Sequence, residues 1–238
     1  MKRSCFFQVI AIIACLSPSL KGNCQAETLN RFSSRDSVTR GKYTVILVSN
    51  EPSFSPITKQ RLIDAFFTVY PLEAQRFNTN TLTHVVFAID TAYKGVAATG
   101  GGVVSFNPVW LTKHPEDIDV VTHEVMHIVQ DYHGRTPGWL TEGIADYARY
   151  VYGINNATGD WQLPPYNSTQ SYRNAYRVTA RFLVWVEKKK DAHIADELNY
   201  ALRTGNYTPA LWVKLTGNTV DELWSEYSKD PAVELSYK

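Results

Sequence analysis

Residues 120–152 read VVTHEVMHIVQDYHGRTPGWLTEGIADYARYVY, and this stretch decides the fold class. Apolar residues recur at helical spacing through Ile118, Val121, Val125, Ile128 and Val129, which predicts a buried amphipathic helix. Pro115, Glu116 and Asp117 suit its first turn, and Gly134 stops it just past His133. His123 and His127 stand one turn apart on the same face, so both imidazoles can reach one metal ion. Imidazole nitrogen suits zinc. Glu124 lies beside them and could take a proton from a water that the metal acidifies. Pro137 can open a second helix that continues to about Tyr152.

A hydrolytic zinc site needs a third protein ligand and one open position. Glu142, at the start of the second helix, can fold back over the two histidines. Asp146 lies one turn further on and could hydrogen-bond a ligand imidazole. His133 is the other candidate ligand, at the spacing used by three-histidine zinc peptidases. Those enzymes break the helix with Gly where this chain has Gln130, a good helix former, so the residues favour Glu142. His133 otherwise reads as a helix-end histidine facing the dipole.

Upstream, Lys42–Ser49 (KYTVILVS) and Leu82–Asp90 (LTHVVFAID) predict strands around a helix over residues 56–77. Thr99-Gly100-Gly101-Gly102 is a breaker before a short strand, residues 103–107. Val103, Val104 and Ser105 of that strand are candidates for pairing with an extended substrate, or form an ordinary sheet edge. Downstream, helices are expected over residues 172–190, 193–203 and 220–229, after a loop from 153 to 169. Tyr172 and Tyr176, one turn apart, are candidate donors to a reaction oxyanion, or packing tyrosines with bonded tips. Strands first and helices later argue for an α+β domain over residues 42–230, with a polar leader at 27–41 and a tail at 231–238.

The 238-residue chain has 24 Lys and Arg against 23 Asp and Glu, a net charge of +1 that favours no nucleic-acid partner. Lys2 and Arg3 precede an apolar run from Cys5 to Leu16, the pattern of an export signal over residues 1–26 and too short to span a bilayer. Cleavage after Ala26 is one reading; a lipobox, Ile12-Ile13-Ala14-Cys15, with lipidation of Cys15, is the other. Either way the protein is expected outside the cytoplasm, secreted, periplasmic or at the cell surface, with no transmembrane span once processed and only a lipid as anchor. All three cysteines lie in that segment, which excludes disulfides, cysteine-bound zinc and a cysteine nucleophile from the rest. Asn156, Asn167 and Asn206 stand in glycosylation sequons, relevant only in a host that uses them.

HEVMHIVQDYHG and PGWLTEGIADYARY resemble the basic secretory protein family, secreted metallopeptidases of plants and bacteria with a zincin fold. GGGVVSFNPVWL upstream resembles it too, as do NAYRVTARFLVWVE and LRTGNYTPALWVKLTGNTVDELWSEY downstream, so the resemblance covers roughly residues 40–230. It implies a small mixed sheet with an edge strand over the HExxH helix, followed by a mainly helical part. It also implies one zinc ion on His123, His127 and Glu142, with Glu124 as general base. Tyr176 matches the family's own tyrosine, whereas Tyr172-Arg-Asn-Ala175 is similar to the segment carrying the catalytic tyrosine of zinc aminopeptidases. The chain departs from the family in not being basic and in having Tyr172 where plant members carry Trp. The expected activity is a monomeric, zinc-dependent endopeptidase acting on peptides or proteins. An aminopeptidase of the same chemistry and a non-catalytic zincin-fold binding protein are the alternatives.

Overall fold

The computed structural model describes residues 32–237. The export segment, with Cys15, lies outside the described residues. Five strands form one mixed sheet in the order β1-β2-β3-β5-β4: β1 Ser34–Arg40, β2 Tyr43–Ser49, β3 His84–Ile89, β4 Ala97–Gly100 and β5 Val103–Phe106. β2, β3 and β5 run parallel, while the outer strands β1 and β4 pair antiparallel to their neighbours. Helix α1, Pro56–Phe77, connects β2 to β3. Its N-cap Ser55 accepts from the Thr58 amide, and Pro56 sits where its missing N–H costs nothing.

Side chains alternate across the sheet with period two. Val45 and Leu47, Val85, Phe87 and Ile89, and Val104 and Phe106 face the helices and join Leu62, Phe66, Val69 and Tyr70 of α1 in the main core. Val48, Val86 and Ala88 form a smaller cluster on the opposite face.

Two expectations about strands are corrected. Residues 27–41 were expected to be a leader, yet 34–40 form β1, paired with β2 through a tight turn at Gly41, whose φ is 58°. SRDSVTR is polar because an edge strand needs only backbone pairing and benefits from charge on its exposed side. β5 was expected to be the edge facing the substrate. It lies inside the sheet, with Val104 buried under the helices, and β4 is the edge. Gly101 and Gly102, both at positive φ (57° and 78°), make the two-residue turn that returns β4 into β5.

After β5 come α2 (Pro108–Lys113), α3 (Val120–Gln130) and α4 (Gly138–Tyr152). A 3-10 turn, Tyr172–Asn174, leads into α5 (Tyr176–Lys189), followed by α6 (Ile194–Arg203), α7 (Ala210–Thr216) and α8 (Val220–Lys229). The helix expected from residue 172 is therefore broken at Ala175, whose φ of 62° and ψ of −171° no helix accommodates. α4 and α5 approach closely because Gly143 has no side chain. A Cβ there would lie 2.2 Å from Thr179 Cγ2. The tail packs on the domain rather than trailing from it, with the Tyr237 hydroxyl accepting from the Leu163 amide at 2.9 Å. No helix among the described residues is long and apolar enough to cross a membrane.

Candidate metal centre and cleft

α3 carries the two histidines and is pinned at both ends. At its start, Asp119 accepts from the amides of Ile154 and Asn155 at 2.8 and 2.5 Å. At its end, Asn78 and Thr81 donate to the carbonyls of Val129 and Ile128, which have no helical partner of their own. The helix stops at Gln130 because Asp131 takes the left-handed conformation, φ 42° and ψ 43°. The chain therefore turns away three residues earlier than expected. His133 is exposed, 3.6 Å from Asp131 and outside the site.

α4 packs against α3 and brings Glu142 over the histidine face. His123 Nε2 lies 3.2 Å from His127 Nε2, and Glu142 Oε2 lies 3.3 and 3.4 Å from the two nitrogens. A tetrahedral zinc site with bonds of about 2.0–2.1 Å has ligand–ligand edges of about 3.3–3.4 Å, so this triangle fits one face of it. Among the described residues, this is the group of three whose ligand atoms converge in this way.

The outer ring nitrogens are occupied, as metal-binding imidazoles require. His123 Nδ1 is 2.7 Å from Asp146 Oδ1. His127 Nδ1 is 2.8 Å from Gln130 Oε1, and Gln130 Nε2 donates to the Thr141 carbonyl at 2.9 Å. That second bond fixes the amide orientation, so His127 Nδ1 must carry the proton and Nε2 presents its lone pair to the triad. Gln130, which the sequence marks only as a helix former, thus orients the His127 ring. Its i+3 spacing from His127 was the available signal.

Burial opposes a charge on His123, but Asp146 and then Glu142 outweigh it and raise the imidazole to about 10. Burial likewise pushes Glu142 up, and its hydrogen bonds to the two histidines overcome this and bring it down to about 2. His123 and Glu142 thus compensate one another at the point where a divalent cation would sit.

A cleft of 1210 Å³ runs along this face of α3. Glu124, 6% exposed, lines it beside the triad. Thr99 of β4 donates to the Glu124 carboxylate at 2.7 Å. The cleft lining includes Trp110, His114 and Trp161 as well as Tyr132 and Thr136. Ala97, Ala98 and Thr99 of β4 form a side, where Val103, Val104 and Ser105 were expected. AATG is short and has a single strand-favouring side chain, Thr99, beside a glycine run, which is why the sequence does not reveal β4.

The two tyrosines separate. Tyr176 is 53% exposed, lines the cleft, and stacks over His123 with ring centroids 6.0 Å apart. Glu142, burial and Asp146 raise its hydroxyl, which keeps it a proton donor. Tyr172 is 3% exposed, donates to Asp221 at 2.7 Å and packs against Trp139, so it is a structural residue outside the cleft. The break at Ala175 turns the two side chains apart.

The fold and this cleft define a zincin-like α+β peptidase domain. The chain belongs to the BSP family, peptidases of plants and bacteria, whose model matches residues 50–227. The fold is similar to that of a variant two-domain M1 zinc metallopeptidase bound to L-tryptophan, at a TM-score of 0.50 and 13% identity over 86% of this chain and 54% of that one. A variant of the M1 zinc metallopeptidase from Deinococcus radiodurans bound to a Tyr-Ser-Ala substrate matches at 0.48, with 13% identity over the same shares. The chain therefore spans about half the length of these structures. No curated protein matches the sequence.

Proposed function

We propose that this protein is an exported, zinc-dependent peptidase that cleaves within extended peptides. The observation that carries the reading is the triangle of His123 Nε2, His127 Nε2 and Glu142 Oε2, with edges of 3.2–3.4 Å, set beside Glu124 in an open cleft. One zinc ion bound there would supply a Lewis acid for the scissile carbonyl and lower the pKa of a coordinated water to about 7. Glu124 accepts a proton from the attacking water and passes it to the leaving amine. Asp146 and Gln130 keep both imidazoles in the tautomer that binds. The Tyr176 hydroxyl donates to the oxyanion that develops on the carbonyl.

The free edge of β4 supports binding of extended backbone with little demand on sequence. The cleft is lined from Trp110 and His114, which precede α3 in the chain, to Tyr132 and Thr136, which follow it, and this supports room for a chain on both sides of the triad. A second reading, release of single N-terminal residues, needs an acid to hold a free amine. Asp117 is neutralised by Arg149 at 2.5 Å, but Asp160 also lines the cleft and could take that part. Export rests on the charged and apolar pattern of residues 1–26, and the near-neutral composition gives no reason to expect a nucleic-acid partner.

The test is cleavage of a peptide library by the purified chain, with and without a chelator. Internal cleavage that the chelator abolishes and zinc restores is expected. The Glu124→Gln variant should keep its zinc and lose about 10²–10⁴ in rate, the usual worth of a general base. Cleavage confined to unblocked N-termini and lost in Asp160→Asn would favour the second reading. Undiminished hydrolysis by Glu124→Gln would sink the mechanism.

A further inference from the structure

The general base is a flexible side chain, and its own helix does nothing to aim it. A glutamate has three rotatable bonds, and ordering such a side chain costs up to about 2 kcal/mol of rotamer freedom. Among the described residues, Thr99 is the side chain that hydrogen-bonds the Glu124 carboxylate. Its Oγ1 is 2.7 Å from Oε2 and 2.9 Å from the Glu124 backbone oxygen. Thr99 is itself placed by the β4–β5 hairpin, opposite Val104 and two residues before the Gly101–Gly102 turn.

The same register settles where the Thr99 backbone points. Asn107 donates to the Val96 carbonyl, and the two-residue turn closes on Gly100 and Val103, so alternate pairs of the hairpin are hydrogen-bonded to each other. Ala97 and Thr99 fall on the other pairs, with their own N–H and C=O facing the free edge. The Tyr93 hydroxyl covers the Ala97 carbonyl at 2.8 Å. Thr99 thus offers backbone groups to the cleft while its side chain grips the carboxylate.

We infer that Thr99 is a positioning residue for the general base, holding the Glu124 carboxylate at a set place relative to the substrate strand. This rests on the reading of Glu124 as the base. The hydroxyl suits a group that gains and loses a proton. While Glu124 is a carboxylate, Thr99 donates to it. When the other carboxyl oxygen takes the proton from water, Oε2 is still an acceptor and keeps its bond from Thr99. The contact persists on both sides of the transfer, and the carboxyl group stays aimed until it delivers the proton to the amine.

The decisive comparison is Thr99→Val, which keeps the shape and removes the hydroxyl, against Thr99→Ser, which keeps the hydroxyl. Thr99→Val should lower kcat about tenfold or more with KM within about twofold, because a loosened base affects the proton transfer and not substrate binding. Its zinc content and unfolding temperature should match the wild type, and Thr99→Ser should retain most of the activity. Crystal structures of both variants give a readout independent of turnover, with the Glu124 carboxylate displaced in the Val variant and in place in the Ser variant. A Thr99→Val enzyme with wild-type kcat, a Ser variant as impaired as Val, or an unmoved carboxylate in the Val structure would overturn the inference. Glu124→Gln, measured alongside, separates the two failures. If it is inactive while Thr99→Val is fully active, the inference alone is wrong. If it is as active as the wild type, the base assignment fails and takes the inference with it.

Discussion

The two walls of the cleft are built differently. The α3–α4 wall, which carries His123, His127 and Glu142, is buried and pinned. Asp119, Asn78 and Thr81 fix the ends of α3, while Asp146 and Gln130 fix the rings. The facing wall is the free edge of β4 and the head of α5, with small residues, glycine turns and two consecutive residues at positive φ, Ala175 at 62° and Tyr176 at 49°. The difference teaches a division of labour. Ligand geometry must be reproduced to a few tenths of an ångström, so it is placed in a core. The groups proposed to meet a variable substrate stand on an edge strand and a helix head.

The sharpest way to break this contrast is to remove a ligand. Glu142→Ala should lose zinc, measured by metal analysis after dialysis, whereas His133→Ala should keep it. The reverse result would place the third ligand on the exposed loop rather than in the pinned wall.

Next in size is the oxyanion donor. Tyr176→Phe should lower kcat about 10²–10³-fold with little change in KM, the effect of losing one such donor. Tyr172→Phe should leave kcat alone and cost about 1 kcal/mol of stability through its lost bond to Asp221. Equal kinetic effects from the two would remove the distinction between a cleft tyrosine and a core one.

Gln130→Leu tests the pinned wall more gently. It frees His127 to rotate, and zinc affinity should fall about 10–100-fold in a competition titration, with the fold intact. An unchanged affinity would mean that packing alone orients the ring.

The smallest expected effect is on the facing wall and has the opposite sign. Ala175 occupies backbone space that is essentially restricted to glycine. Ala175→Gly should therefore raise stability by about 1 kcal/mol, seen as a higher unfolding temperature. A lower one would show that the conformation costs alanine nothing.

Reading the sequence succeeded where period and chemistry coincide. HExxH on an apolar 3.6-residue rhythm placed the body of α3 and its two histidines, though the helix starts at Val120 and not at Pro115, and the run into WLTEGIAD placed α4. It failed where tertiary context decides. SRDSVTR has only Val38 to mark a strand, because β1 is made by pairing with β2. AATG has only Thr99 to favour a strand, so the true edge depends on the hairpin register. Gln130 has high helix propensity, yet the helix ends there because Asp131 turns left-handed, and Asn78 and Thr81, some fifty residues away, take up the last carbonyls. Tyr172 and Tyr176 share a helical period, and only the turn at Ala175 separates their fates.

One buried side chain behind Arg149, which lines the cleft, bears on how the protein can be made. Asn156 is 1% exposed, donates to the Arg149 carbonyl and accepts from its guanidinium, which in turn pairs with Asp117. It is also the first residue of a sequon, Asn156-Ala157-Thr158. In a production host that attaches sugars to nascent chains, folding and modification compete for the same amide nitrogen. A sugar arriving first would leave Arg149 and the wall it supports unable to close, while a domain that closes first puts the site out of the transferase's reach. Yield in such a host would be set by that race, and replacing Thr158 would remove it without touching the cleft.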